Sequence, residues 1–207
     1  MDVYEAIYTR RDVRQFRSDT VPDDVLARML DAAHHAGSVG FMQPWNFIII
    51  RDMQTRRQVR ELFDRANAQA ACHYVGARRE LYDSLKLEGI LESALNLCVT
   101  CDRSRGGHVL GRDSIPDTDL YSTCCAVQNL WLAARAEGVG VGWVSIVDPS
   151  HLAELLQLPE AVVPVAYLCV GYPRELGERP MLEEVGWRRR LRLDEVVFEE
   201  CWGRKKA

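Results

Sequence analysis

Gly138-Val139-Gly140-Val141-Gly142-Trp143-Val144-Ser145-Ile146 is rich in glycine, yet it follows a helical pattern and enters a strand. A dinucleotide-binding loop needs the reverse order, because the pyrophosphate must face the N-terminus of the helix that comes next. The run upstream, residues 119–137, carries Leu120, Cys124, Val127, Leu130, Trp131 and Ala134, which together fill most of a helix surface. A helix so nearly apolar all round belongs at the centre of a fold. Gly138 suits its C-cap, and residues 139–146 form a strand interrupted by Gly140 and Gly142. Those two glycines mark a close backbone approach, either to a flat ligand or to the central helix.

Working outward, Asn46-Phe47-Ile48-Ile49-Ile50, residues 95–101 and residues 162–170 read as further buried strands. Helices are expected at residues 2–9, at 52–70, at 74–86 and after Pro149. Another starts at Pro22, where Leu26, Met29, Leu30 and Ala33 share one face, and it ends near Gly37. A loop containing Gly106, Gly107 and Gly111 is long enough to be functional. With no internal repeat and no low-complexity linker, 207 residues suit one α/β domain.

The net charge of −4 gives nucleic-acid binding no electrostatic support. No apolar run is long enough to cross a bilayer and no signal-peptide pattern opens the chain, so a cytoplasmic location is expected. Seven cysteines are scattered through apolar stretches. Cys98-Val99-Thr100-Cys101 has redox-motif spacing but lies within a strand, which points to core thiols. The five histidines show no metal-ligand spacing, and no metal is expected.

The sharpest local signal is Arg10-Arg11-Asp12-Val13-Arg14. Three guanidiniums offer planar forks suited to phosphate oxygens, whereas a carboxylate among them would repel that ligand. Asp12 is therefore either an ion-pair partner for the arginines or a catalytic group aimed at another part of the ligand. Arg188, Arg189, Arg190 and Arg192 form a second basic cluster, and one anion site results if the fold joins the two. Arg204-Lys205-Lys206 reads as a solvated tail. Ser145, taken alone, reads as a hydroxyl bonded to nearby backbone at the end of a buried strand.

Together these pieces resemble a family. The signature at 10–14, then Ser38-Val39-Gly40-Phe41-Met42-Gln43-Pro44-Trp45-Asn46-Phe47, the central helix and Gly140-Val141-Gly142-Trp143 are similar in order and spacing to the FMN-dependent nitroreductase superfamily. That superfamily usually has serine at the third signature position and asparagine in the loop before Gln-Pro-Trp, where this chain has Asp12 and Phe41. The variant resembles the 5,6-dimethylbenzimidazole synthases, the flavin-destroying branch. Residues 84–90, Cys98-Val99-Thr100-Cys101-Asp102-Arg103, Val109-Leu110-Gly111-Arg112 and residues 125–146 carry that likeness. Glu92-Ser93-Ala94 departs from an Ala-Pro pair, at a turn.

The resemblance implies an α+β sandwich, a mixed sheet flanked by helices, in an intertwined homodimer with two FMN sites at the interface. It implies that reduced FMN, supplied by a separate flavin reductase, is broken by dioxygen to 5,6-dimethylbenzimidazole, the lower ligand of cobalamin, and erythrose 4-phosphate. Asp12 would be the general base, and Ser145 would bond the flavin and orient the oxygen adduct. Arg10, Arg14, Arg188 and Arg190 would hold the phosphate and ribityl chain, with Arg11 and Val13 from the same signature. Ser38, Gly40 and Met42 would approach the ring, Gly40 leaving room for dioxygen. Leu87 and Trp143 would complete the pocket, under a lid at about 63–90. The competing readings are an NAD(P)H-dependent nitroreductase or flavin reductase, and a flavin storage protein.

Overall fold

Alternation decides which way each strand faces. Four strands, β1 (Trp45–Ile50), β2 (Leu95–Asp102), β3 (Gly140–Val144) and β4 (Val162–Gly171), form one sheet in the order β1-β2-β4-β3. On β2 and β4, Leu95, Leu97 and Val99 share a face with Ala166, Leu168 and Val170 and enter one apolar cluster. Cys98, Tyr167 and Cys169 point the opposite way, into a second cluster. A sheet buried on both faces needs helices on both.

The structure, a computed structural model, describes residues 1–205. On the first face, α2 (Asp23–His34) and α5 (Thr118–Ala136) contribute Leu26, Met29, Ala33, Val127, Leu130 and Ala134. On the second, α3 (Met53–Ala71) brings Val59, Leu62 and Phe63, and α6 (Pro149–Leu155) brings Leu152. The remaining helices of this unit are α1 (Val3–Thr9) and α4 (Gly76–Ser84). The result is an α+β sandwich, as expected.

Three details differ from expectation. Every pair of neighbouring strands is antiparallel. The mixed character expected of the sheet is confined, among the described residues, to one parallel bridge between Asp12 and Val141. Second, α5 is central on one side only: Tyr121, Cys124 and Cys125 are exposed. Third, β3 ends at Val144, before Ser145.

Residues Met1–Leu176 form the unit just described, and the chain from Gly177 forms a smaller one. The latter holds two single-turn helices, α7 (Met181–Glu184) and α8 (Leu193–Val196). Arg189 closes a bidentate pair with Glu195 at 2.9 and 2.8 Å, which holds that carboxyl down at about 2. Lys206, expected in a solvated tail, lies outside the described residues.

Candidate active site

The signature runs along the edge of β3 because two glycines make room for it. A Cβ on Gly142 would lie 2.0 Å from the Val13 carbonyl oxygen, and one on Gly140 would lie 2.8 Å from a Val13 methyl. The close neighbour is thus Val13, neither a flat ligand nor the central helix. Val13 N–H donates to the Val141 carbonyl at 3.0 Å. One step further along, the Trp143 N–H donates at 2.9 Å not to a backbone carbonyl but to Oδ1 of Asp12. The carboxylate therefore ends the parallel ladder, with its other oxygen paired to Arg14 Nη2. The Asp12 side chain remains one-third exposed.

The three arginines of the signature do not converge. Arg14 meets Asp12 and also donates to the Lys86 carbonyl at 3.3 Å. Arg10 lies over the Trp131 ring, 4.7 Å from its centroid. Arg11 turns back and donates to the carbonyls of Tyr8 and Arg10 at 2.9 and 2.8 Å, satisfying the C-terminal end of α1. Arg188 and Arg190 are exposed in the second unit, beside a cavity of about 430 Å³ that also borders Pro180 and Glu183.

Residues 38–44 form a tightly wound loop. Gly40, Phe41 and Gln43 all have positive φ, at 58°, 53° and 46°, a costly arrangement for the two that carry side chains. Ser38 Oγ holds the loop closed by accepting from Gln43 N–H at 3.2 Å, while Ser122 Oγ on α5 accepts from Val39 N–H at 3.1 Å. Arg105 clamps the exit through the carbonyls of Gln43 and Trp45, at 2.8 and 2.9 Å. Gly40 has a packing reason for being glycine, since a Cβ would meet Val109 at 2.2 Å. Met42 is buried, its sulfur 3.3 Å from Arg112 Nη2. Phe41 faces solvent, 84 % exposed.

The segment expected to act as a lid comprises the second half of α3, α4 and the stretch up to Ile90. Tyr74 stacks on Tyr82 with centroids 4.8 Å apart, and the Tyr82 hydroxyl donates to Asn67 at 2.6 Å. Leu87 is half-buried against the second apolar cluster. Trp143 is half-buried, tilted against Trp131 at 6.3 Å. Ser145 is exposed, and its hydroxyl makes no hydrogen bond among the described residues. The bland reading of that serine, a hydroxyl absorbed by local backbone at a buried strand end, does not hold.

Sequence reasoning missed a buried polar network at the end of the segment expected to act as a lid. Arg56 is 3 % exposed and donates to the Ile90 carbonyl at 2.9 and 2.6 Å and to the Ser93 carbonyl at 2.6 Å. Burial pulls its pKa down. Arg60 pairs with Glu88 at 2.7 Å, and the second Glu88 oxygen accepts from Ile90 N–H. Arg60 also pairs with Asp64 one turn on at 2.8 Å, and such a local partner let the sequence read these arginines as an ordinary charged helix face. The thiols were read correctly at Cys98 and Cys101: both are buried, and burial pushes the Cys98 thiol up to about 12.

A model described as the nitroreductase family matches residues 7–172. A 5,6-dimethylbenzimidazole synthase of Rhodospirillum rubrum is 45 % identical over 182 residues, covering 87 % of this chain and 86 % of that protein. One from Rhodobacter capsulatus is 40 % identical over 188 residues, covering 90 % of this chain and 91 % of the other. Among solved structures, an oxidized iodotyrosine deiodinase bound to FMN and 3-iodo-L-tyrosine superimposes with a TM-score of 0.75 at 23 % identity, over 95 % of this chain and all of that one. The NADPH:FMN oxidoreductase of Vibrio harveyi complexed with NAD+ gives 0.72 at 20 % identity, over 99 % of this chain and 79 % of that one. At those identities the two structures speak to the fold alone.

Proposed function

The chain belongs to the nitroreductase family, and on that footing we propose that it is a 5,6-dimethylbenzimidazole synthase, acting in the cytoplasm as a homodimer. The observation that carries the reading is Asp12, a carboxylate held between Arg14 and the Trp143 N–H at the signature position where the wider family usually has serine. The similarity to named synthases over about nine-tenths of the chain agrees with it. When bound, reduced FMN supplies the electrons and the ring, and with dioxygen it yields 5,6-dimethylbenzimidazole and erythrose 4-phosphate.

The residues present suit that ligand. Arg14 offers a mostly buried guanidinium beside a partly open carboxylate, 16 % and 33 % exposed, and Trp143 supplies a half-buried aromatic wall. Arg10 and Arg14 provide forked donors for phosphate and ribityl oxygens. Asp12 Oδ2 accepts a proton from the ribityl end of the substrate as the ring is broken. Ser145, with its hydroxyl free to turn, donates to the flavin. The segment ending at Ile90 keeps water out during the reaction. A separate flavin reductase delivers the reduced substrate.

Asp12→Asn and Asp12→Ser test the assignment, because neither side chain accepts a proton near neutral pH. Both variants should bind reduced FMN and let it meet oxygen, yet release oxidised FMN and hydrogen peroxide in place of the benzimidazole. If Asp12 serves only as the partner of Arg14, FMN affinity falls first and each bound flavin still gives the normal product. A normal benzimidazole yield per bound flavin would therefore remove Asp12 as the base.

A further inference from the structure

Arg14 touches two functional parts at once. Its Nη2 donates to Oδ2 of Asp12, while its Nη1 donates to the Lys86 carbonyl oxygen at 3.3 Å, a contact spanning 72 residues of sequence. The other Asp12 oxygen is fixed by the Trp143 N–H at 2.9 Å. The direction of the carboxylate is thus set by one immobile partner on the sheet and one guanidinium.

Lys86 stands where the chain leaving α4 meets a firmly held root. Arg56 fixes the Ile90 and Ser93 carbonyls, and Arg60 fixes Glu88. Gly89 lies flat against the signature: a Cβ there would come 2.5 Å from the Phe16 ring and 3.1 Å from the Arg14 carbonyl. The root cannot drift from the signature without breaking these contacts. The portion before it, residues 74–87, is tied to α3 through the Tyr82–Asn67 bond at 2.6 Å and the Arg79–Ala71 carbonyl bond at 3.0 Å.

We propose that Arg14 is a positioning residue that couples the seating of residues 74–87 to the orientation of the Asp12 carboxylate. A guanidinium is a rigid planar fork, so two of its nitrogens engaged on different partners fix its plane. When the Lys86 carbonyl lifts away, one prong is lost, the fork turns, and Asp12 loses the contact that aims Oδ2. Carboxylate orientation and lid closure then rise and fall together. This rests on the reading of Asp12 as the base.

Arg14→Lys is the test, since it keeps the charge but replaces the fork with one ammonium on a flexible stem. With oxidised FMN bound and no turnover, amide hydrogen exchange across residues 84–88 should run about tenfold faster than in the parent, the scale of one lost charged hydrogen bond. Exchange in β2 should not change. At saturating reduced FMN, the variant should shift its products towards oxidised FMN and hydrogen peroxide, as Asp12→Asn does. Gly89→Ala, which pushes the root off Phe16 without altering a flavin-binding side chain, should cause the same product shift. If Arg14→Lys merely weakens FMN binding, and once saturated keeps both the parent's product ratio and its exchange at 84–88, the coupling is wrong. Should Asp12→Asn itself retain the full yield, the base reading fails and takes the coupling with it. Loss of product in Asp12→Asn alone, with Arg14→Lys normal, rejects only the coupling.

Discussion

Ser145 lies just past the end of β3 with its hydroxyl exposed and, among the described residues, unbonded. Ser145 comes two residues after Trp143, whose backbone N–H holds Asp12. Its replacement should cost the fold little, because no internal hydrogen bond is lost. Ser145→Ala should slow benzimidazole formation severalfold while changing stability by less than about 0.5 kcal/mol. Unchanged turnover with saturating reduced FMN would return Ser145 to a bystander. At this scale the sequence was legible where chemistry was out of place, as with Asp12 among arginines. It was not legible where one residue type serves two ends. Arg11 looks like a ligand arginine and in fact satisfies the end of α1. Gly40 was read as an opening for dioxygen, and its lack of a Cβ also leaves room for Val109.

Among the elements, the strands were the easiest to foresee, because β-branched runs buried on both faces leave little choice of conformation. Their thiols give a pH prediction. Burial pushes Cys98 on β2 and Cys169 on β4 up to about 12, from an ordinary value of 9.0. Both raised values belong to groups that are neutral when protonated. Their stabilising contribution is therefore complete below the unfolded value and lost as pH climbs from about 9 to about 12. The urea midpoint should fall over that window, and by less in a Cys98→Ala, Cys169→Ala double variant compared with its own value at pH 8. An equal fall in parent and variant would show that other groups govern alkaline unfolding. The buried network stayed hidden because Arg56 bonds backbone carbonyls, which no side-chain pattern announces, and because Arg60 reaches Glu88 across 28 residues of sequence. Ser93, noted only as a departure at a turn, is buried and accepts from Asn96 at 2.7 Å.

Across the whole chain, the apolar surface left uncovered argues for a second copy. Phe41 and Leu110 are 84 % and 83 % exposed, and Tyr121, Cys124 and Cys125 line the open side of α5. The Val39–Ser122 hydrogen bond ties the 38–44 loop to that helix, so these residues belong to one region of surface. The expected homodimer should show twice the chain mass by light scattering and should shield Cys124 and Cys125 from alkylation while Cys72 reacts. A monomer that binds FMN at full strength would contradict it. That surface could not be read from sequence, because the apolar residues of α5 look alike whether they face the sheet or another subunit.

The measurement that bears most directly on the account is a single aerobic incubation of the purified chain with chemically reduced FMN, followed by mass spectrometry. The proposed activity predicts 5,6-dimethylbenzimidazole and erythrose 4-phosphate appearing in step with the loss of FMN. Recovery of all the flavin as intact oxidised FMN, with no benzimidazole, would contradict it.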